Sequence, residues 1–383
     1  MHYRKFYYSI LASVCLLGST SVLLAMEDQD ETPSHPSTFH TLSGEEYEQI
    51  LSSLNNLTTA SEKEESDSEL EEDESDSENA WSVEERDKVE SKRKLERLKS
   101  RYPYGLIPAK DLAPKTGAGY RLGCFLGADF REDESYASAA VGNTISDSNP
   151  CSVRLLKEIE PGFKVLDIGC SYGIQIFPLL HKGAHAVAND SDAYSLTNFA
   201  DCLKPEDHKK VHISYGKFPE ETSFPPNHFD AVTMYYVIHY MKPKEIKASF
   251  KKFHEILKPN GKVYIMTLSP FSRTFGWYTN RALLNQKKGH EWPGEIADWA
   301  QVWTEVTGQP KENLPETGLP NYMHPQFQET LMREAFNSGF MIEALGYCGI
   351  SQEENRELAE LKKKNLPTGC LGRSAAYLIA QKK

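Results

Sequence analysis

The chain has 383 residues, 39% of them hydrophobic and 26% charged, enough for one or two domains with a real core. The formal net charge of −12 argues against a general nucleic-acid binder, although much of it sits in one N-terminal run and the remainder is closer to neutral. The seven cysteines form no C-x-x-C pair and no Cys/His cluster with zinc spacing, so isolated thiols are expected and a metal site is not.

Residues 1–25 carry a basic start (His2, Arg4, Lys5) and a mostly apolar run from Phe6 to Ala25. This predicts either a cleaved export signal or an uncleaved membrane anchor, since the run is just long enough to span a bilayer. The protein is then exported or membrane-anchored through this segment, with delivery into a host cell as one destination. From Met26 to about residue 80 core-forming residues are scarce. Between Ser61 and Glu78 there are eleven acidic residues and one lysine. Such a run cannot bury enough apolar area to offset the entropy of ordering, so a disordered, acidic, serine-rich linker is expected, interrupted at most by a short helix near Gly44 to Leu54.

Residues 81–149 form a lead-in. Glu84 to Arg101 is rich in Lys, Arg and Glu with Val89, Leu95 and Leu98 as sparse apolar points, which predicts one helix with a narrow apolar stripe. The stretch from Tyr102 to Pro150 is loop-rich and is expected to pack against, or partly cover, a ligand site. Ser152 to Ile159 has helical spacing, and Pro161-Gly162 ends it.

Alternation then begins. Val165 to Ile168 reads as a buried strand, followed by a turn containing Gly169 and Gly173 and a helical pattern from Ile174 to His181. Strand, glycine turn and helix bring backbone N–H groups close to a nucleotide-like ligand. His185 to Asn189 is a second strand ending at Asp190, where a carboxylate suits a ribose diol; Asp190, Ser191 or Asp192 could equally cap the next helix, Tyr194 to Leu203. Val211 to Tyr215 and Phe229 to Met234 are further strands, Lys244 to Leu257 a helix and Lys262 to Leu268 a fifth strand. Strands and helices at this pitch imply a parallel sheet with helices on both faces.

Five stretches in this order resemble class I S-adenosylmethionine-dependent methyltransferases, in the style of the ubiquinone and menaquinone methylases: Val165 to Gly173, Val187 to Asp190, Phe229 to Val232, Val237-Ile238-His239, and Ile256-Leu257-Lys258-Pro259-Asn260-Gly261-Lys262. The likeness covers about residues 150 to 270; His324 to Tyr347 and Arg373 to Ala380 resemble the family's late helix and strands. It implies a Rossmann-like methyltransferase domain over residues 150–383 and S-adenosylmethionine as cofactor. Asp167 with Gly169, Cys170, Ser171 and Gly173 would hold its methionine part, Asp190 the ribose, and Phe218 would lie beside the adenine. Tyr235 and Tyr236 would border the methyl group, and His239, with His290 and His324 behind it, is the candidate base. Two departures stand out: Ser171 replaces the usual middle glycine, and Lys217 stands where the family often places an acid.

Between the fifth strand and the late helix, about Ser269 to Pro325, an insertion holds Trp277, Trp292, Trp299 and Trp303 with Phe271, Phe275, Tyr278 and Tyr322. An aromatic lid over an apolar, planar or cationic acceptor, or a helical subdomain using the aromatics as its own core, both fit. A small or medium-sized acceptor is expected. A protein or RNA acceptor aided by helix 84–101, or a degenerate binding module, are the alternatives. A nicotinamide dehydrogenase is disfavoured, because its usual third glycine is missing and the Leu257-Lys258-Pro259-Asn260-Gly261 stretch is foreign to it.

Overall fold

The computed structural model describes residues 83–112, 136–139, 142–145, 149–314, 320–350, 352–364 and 369–383. The expected signal or anchor over 1–25, the acidic linker over 26–80 and most of the lead-in loop lie outside the described residues.

Eight strands form one sheet in the order β1-β6-β5-β4-β7-β8-β10-β9. They are β1 (Leu106–Pro108), β4 (Lys164–Ile168), β5 (His185–Asp190), β6 (Val211–Tyr215), β7 (Phe229–Tyr235), β8 (Leu257–Leu268), β9 (Phe340–Cys348) and β10 (Ala375–Lys382). Strands β4 to β8 run parallel. β10 inserts antiparallel between β8 and β9, and β1 adds antiparallel to the outer edge of β6. A separate antiparallel pair joins β2 (Tyr136–Ala139) and β3 (Gly142–Ile145).

The parallel strands are apolar on both faces because helices cover both. On one face α5 (Pro243–Ile256) and α8 (Gln328–Asn337) bury Ile246, Phe250, Phe253, Leu331 and Ala335 against Leu166, Val232, Met234, Val263 and Ile265. On the other, α2 (Pro150–Glu158) sets Leu155 and Leu156 against Val165, Ala231 and Tyr264. Pro150 pre-sets its first turn and Asn149 with Ser152 forms a reciprocal capping box. Beside it, α3 (Ile176–His181), α4 (Ala193–Asp201) and the charged α1 (Val83–Lys99) share a core of Leu95, Leu98, Ile176, Leu196, Phe199 and Ile213. Helix α1 is thus docked by the narrow stripe expected of it. The loop-rich reading missed β1, a three-residue strand whose Ile107 is fully buried opposite Ile213. The last parallel strand also starts earlier than expected: β8 includes Leu257 to Gly261.

Beyond β8 the insertion contributes α6 (Thr279–Lys287) and α7 (Trp299–Thr307). Helix α9 (Gln352–Lys363) lies between β9 and β10 in the chain. Among the described residues no helix is long and apolar enough to cross a membrane.

Candidate active site

Strands β4 to β6 step outward to one side of the sheet and β7, β8 to the other, so the order reverses at β4. In open α/β sheets the crevice for a ligand opens at the carboxyl ends beside such a reversal. The turn leaving β4 is built for close approach. Gly169 and Gly173 have φ of +70° and +72°. A Cβ on Gly169 would sit 2.2 Å from Val237 Cγ2, and one on Gly173 2.1 Å from Phe199 Cδ2. The N–H groups of Gly169 and Cys170 both donate to the Asn189 carbonyl, at 2.8 and 3.0 Å. Ser171, in the position of a usual glycine, also adopts a left-handed φ of 49°. Its N–H donates to Asp190 Oδ2 at 2.8 Å, a contact that helps hold the unfavourable backbone in place. Cys170 is buried, and burial pushes its thiol well above the ordinary range, which disfavours the thiolate.

Asp190 ends β5 and is 7% exposed. Its second oxygen accepts the Asp192 N–H at 2.9 Å. Burial raises its pKa, and the backbone donors from Asp192 and Ser171 oppose that shift. The helix cap is Asp192, which accepts from the N–H groups of Tyr194 and Ser195. Asp167 stands opposite Thr233 in the β4–β7 register and accepts its hydroxyl at 2.6 Å. Burial pushes Asp167 up to about 7, with the negative charge of Asp190 adding to the shift. Neither carboxylate meets a lysine or arginine among the described residues. Two buried acids held by neutral donors suit a ligand that brings hydroxyl donors or positive charge.

Two residues beyond Thr233, and therefore on the same face of β7, Tyr235 carries a buried hydroxyl without a hydrogen-bond partner among the described residues. Tyr236 follows with φ of 57°, rare for an aromatic residue, its N–H donating to the Met266 carbonyl at 2.7 Å. Left-handed non-glycine residues therefore sit at the ends of both adjacent strands, β4 and β7, where the sheet order reverses.

Three expectations need correction. His239 is not placed as a base. It is 1% exposed, its Nδ1 lies 3.2 Å from Thr267 Oγ1, and burial lowers its pKa to about 3. Phe218 is in the core under α5, stacked on Phe253 at 5.4 Å and 3% exposed, so it offers little face to an adenine. His324 is buried, its Nδ1 3.3 Å from the Met241 carbonyl and its pKa also lowered to about 3, while His290 is exposed. Lys217 pairs with Glu245 at 2.6 Å.

Sequence reasoning missed Thr233, although a lone hydroxyl inside Ala231-Val232-Thr233-Met234 was a readable signal. It named Tyr322 only as one of the insertion's aromatics and missed its partner: the hydroxyl donates to Glu295 Oε1 at 3.1 Å across the insertion, a pair that no local pattern announces. Most of the insertion's aromatics form their own core. Trp277 meets Trp299 at 5.2 Å and Trp303 at 5.3 Å, and Phe275 meets Trp299 at 5.7 Å. Phe271, Tyr278, Ile296 and Met323 complete that cluster.

The chain is similar to several known proteins. Residues 165–261 match a family model described as a methyltransferase domain. The chain is 30% identical over 162 residues to a ubiquinone biosynthesis O-methyltransferase of Bradyrhizobium diazoefficiens, covering 38% of this chain and 61% of that protein. It is 27% identical over 129 residues to the protein of the same name in Rhodopseudomonas palustris, covering 34% and 47%. The chain thus spans about half to three-fifths of the length of these relatives. Among solved structures it is similar to an S-adenosylmethionine-dependent methyltransferase from Mesorhizobium loti, with 14% identity, 61% of this chain, 99% of that chain and a TM-score of 0.41. One from Methanosarcina mazei gives 19%, 62%, 98% and 0.42.

Proposed function

We propose that this chain, which carries a class I S-adenosylmethionine-dependent methyltransferase domain, transfers a methyl group to a small or medium-sized acceptor. The bound cofactor supplies an electrophilic methyl on a sulfonium; the residues of the chain hold and align. In this reading Asp167 and the turn from Gly169 to Gly173 would take the methionine part. Asp190 would take the ribose hydroxyls, because its oxygens accept the Ser171 and Asp192 N–H groups and keep further lone-pair capacity. Tyr235 and Tyr236 would border the methyl and the acceptor. In-line displacement needs alignment and shielding from water above all. Tyr236 enters with a constrained backbone and Tyr235 with a hydroxyl awaiting a partner. A group with the basicity of His239 is a weak proton acceptor at neutral pH, so its role here is to position the turn after β7, where its carbonyl accepts the His324 N–H at 2.7 Å.

An oxygen acceptor is the narrower form of this proposal, since both curated relatives are named O-methyltransferases.

The observation that carries the reading is Asp190, buried, unpaired by any described cation and clamping the Ser171 turn. Calorimetric titration of S-adenosylmethionine and S-adenosylhomocysteine into the full chain tests it. Micromolar affinity should fall roughly hundredfold in Asp190→Ala, the loss expected when hydrogen bonds to a charged group are removed. Equal affinity in the variant rejects the assignment of Asp190, and no binding by folded wild type rejects the activity.

A further inference from the structure

Arg373 has no place in the reading above. It precedes β10, whose first residue, Ala375, pairs with Leu268 at the end of β8 and with Cys348 at the end of β9. It therefore stands at the same edge of the sheet as the glycine turn and Tyr235. Asp190 lies one strand from β4 in one direction, and β10 lies three strands from β4 in the other, roughly 14 Å away at ordinary strand spacing. A ligand that reaches Asp190 with its ribose extends away from Arg373. Arg373 thus stands on the side of β4 opposite Asp190.

Its guanidinium carbon lies 3.7 Å from the centroid of Phe271 and 4.8 Å from that of Tyr347, and those rings meet edge to face at 5.3 Å. Aromatic contacts cover the flat faces of a guanidinium and leave its N–H rim available. One of those N–H groups is engaged by the Tyr347 hydroxyl. Among the described residues no carboxylate comes within ion-pair distance of Arg373. The acids nearby are committed elsewhere. Glu354 is buried and accepts from Ile350 N, Gly372 N and Ser374 Oγ at 3.0, 2.9 and 2.8 Å. Glu357 pairs with Arg273 at 2.7 Å, and Glu329 accepts from the side chains of Gln286 and Gln328.

The backbone at Arg373 is fixed from two sides. Its carbonyl accepts the Ser269 hydroxyl, the Ser269 N–H donates to the Ser374 carbonyl at 2.9 Å, and its own N–H donates to Cys370 at 3.1 Å. Ser272, one residue after the ring that supports Arg373, is fully buried, and its hydroxyl has no hydrogen-bond partner among the described residues.

We propose that Arg373, seated on Phe271 and Tyr347, is an anion-binding subsite that recognises a carboxylate or phosphate on the methyl acceptor. The planar fork of a guanidinium matches both anions through two parallel N–H···O bonds. The aromatic seat favours an anion attached to an apolar or planar body. This proposal rests on the methyl-transfer reading, which places the acceptor on this side of the sheet.

The test compares benzoate, phenyl phosphate and their neutral counterpart benzamide as probes, titrated into the full chain and into Arg373→Gln and Arg373→Lys. S-adenosylhomocysteine is titrated into the same samples. Wild type should bind benzoate or phenyl phosphate at least roughly tenfold more tightly than benzamide. Arg373→Gln should lose that preference, a drop of roughly ten- to hundredfold, and Arg373→Lys should fall between, while S-adenosylhomocysteine affinity stays unchanged. The stronger of the two anions identifies the acceptor group. Equal binding of benzamide and both anions by wild type overturns the proposal, as does an anion affinity that survives Arg373→Gln. Should Arg373→Gln not unfold cooperatively, Arg373→Lys decides: an unchanged anion affinity in it overturns the subsite. Arg373-dependent anion binding without any S-adenosylhomocysteine binding would defeat the methyltransferase reading and leave the anion site standing.

Discussion

The two sides of the sheet edge are built on different principles. Around β4 and β5 the site is made of backbone: three left-handed residues, N–H groups aimed at one carbonyl, and two carboxylates held by short-range donors. Around β8, β9 and β10 it is made of side chains brought from far apart in sequence, with Arg373 resting on Phe271 and Tyr347 and the insertion packing on itself. The first design suits a ligand that never changes. The second leaves room for an acceptor that does, because side chains can be exchanged without rebuilding strands.

If that division is right, damage on one side should leave the other intact. The largest expected effect is in the insertion. Trp299 is 4% exposed between Phe275 and Trp277, and Trp299→Ala should cost about 3–5 kcal/mol in urea unfolding through lost burial and a residual cavity. S-adenosylhomocysteine affinity should be untouched; a parallel loss would show that the two sides are coupled. Next comes Gly173→Ala, which forces a Cβ against Phe199 in a left-handed backbone and should cost about 2–4 kcal/mol. Here the affinity should fall together with stability, and Phe199→Leu in the same chain should restore part of both. If Phe199→Leu restores nothing, the steric account of Gly173 is wrong.

The histidines give a smaller, pH-dependent effect. His239 has its pKa depressed from 6.5 to about 3, so the unfolded chain binds a proton that the folded chain refuses. Between pH 6.5 and 3 the unfolded state carries more protons, and stability rises with pH across that window and is lost as pH falls through it. His239→Gln should flatten that slope in acid denaturation followed by circular dichroism; a slope as steep as wild type would assign it to other groups. The smallest effect should be Tyr235→Phe, which removes a hydroxyl without a partner among the described residues. Ligand-free stability should change by no more than about 1 kcal/mol, with any change favourable, and the chain should keep its S-adenosylhomocysteine affinity. A clear destabilisation would mean that this hydroxyl is paired in solution.

The same division explains what could be read from the residues alone. Val165 to Ile168, the glycine turn and Asp190 announce themselves because their signals are local: an apolar run, a backbone that only glycine enters cheaply, an acid at a strand end. The five parallel strands followed from the same kind of signal. Phe218 and His239 were misjudged because residue type says little about which way a side chain faces once helices cover both sides of a sheet. Ser171 stood out as a departure from the usual glycine and is a left-handed residue whose N–H reaches Asp190. Thr233 needed a register, and Arg373 needed β10 to be placed between β8 and β9; neither is written in neighbouring residues. Likewise β1 is too short to show a period, and only its burial against β6 makes it a strand.

That short strand has a practical consequence. The stretch that matches the family model, residues 165–261, would leave two open borders if cut out and expressed: β6 without β1 and α1, and β7 without the Lys262–Leu268 part of β8. Bare strand borders pair with other chains, and such a fragment would be expected to aggregate. The smallest piece worth purifying begins at or before Val83 and runs through β10, because the part that can be recognised is narrower than the part that must fold together.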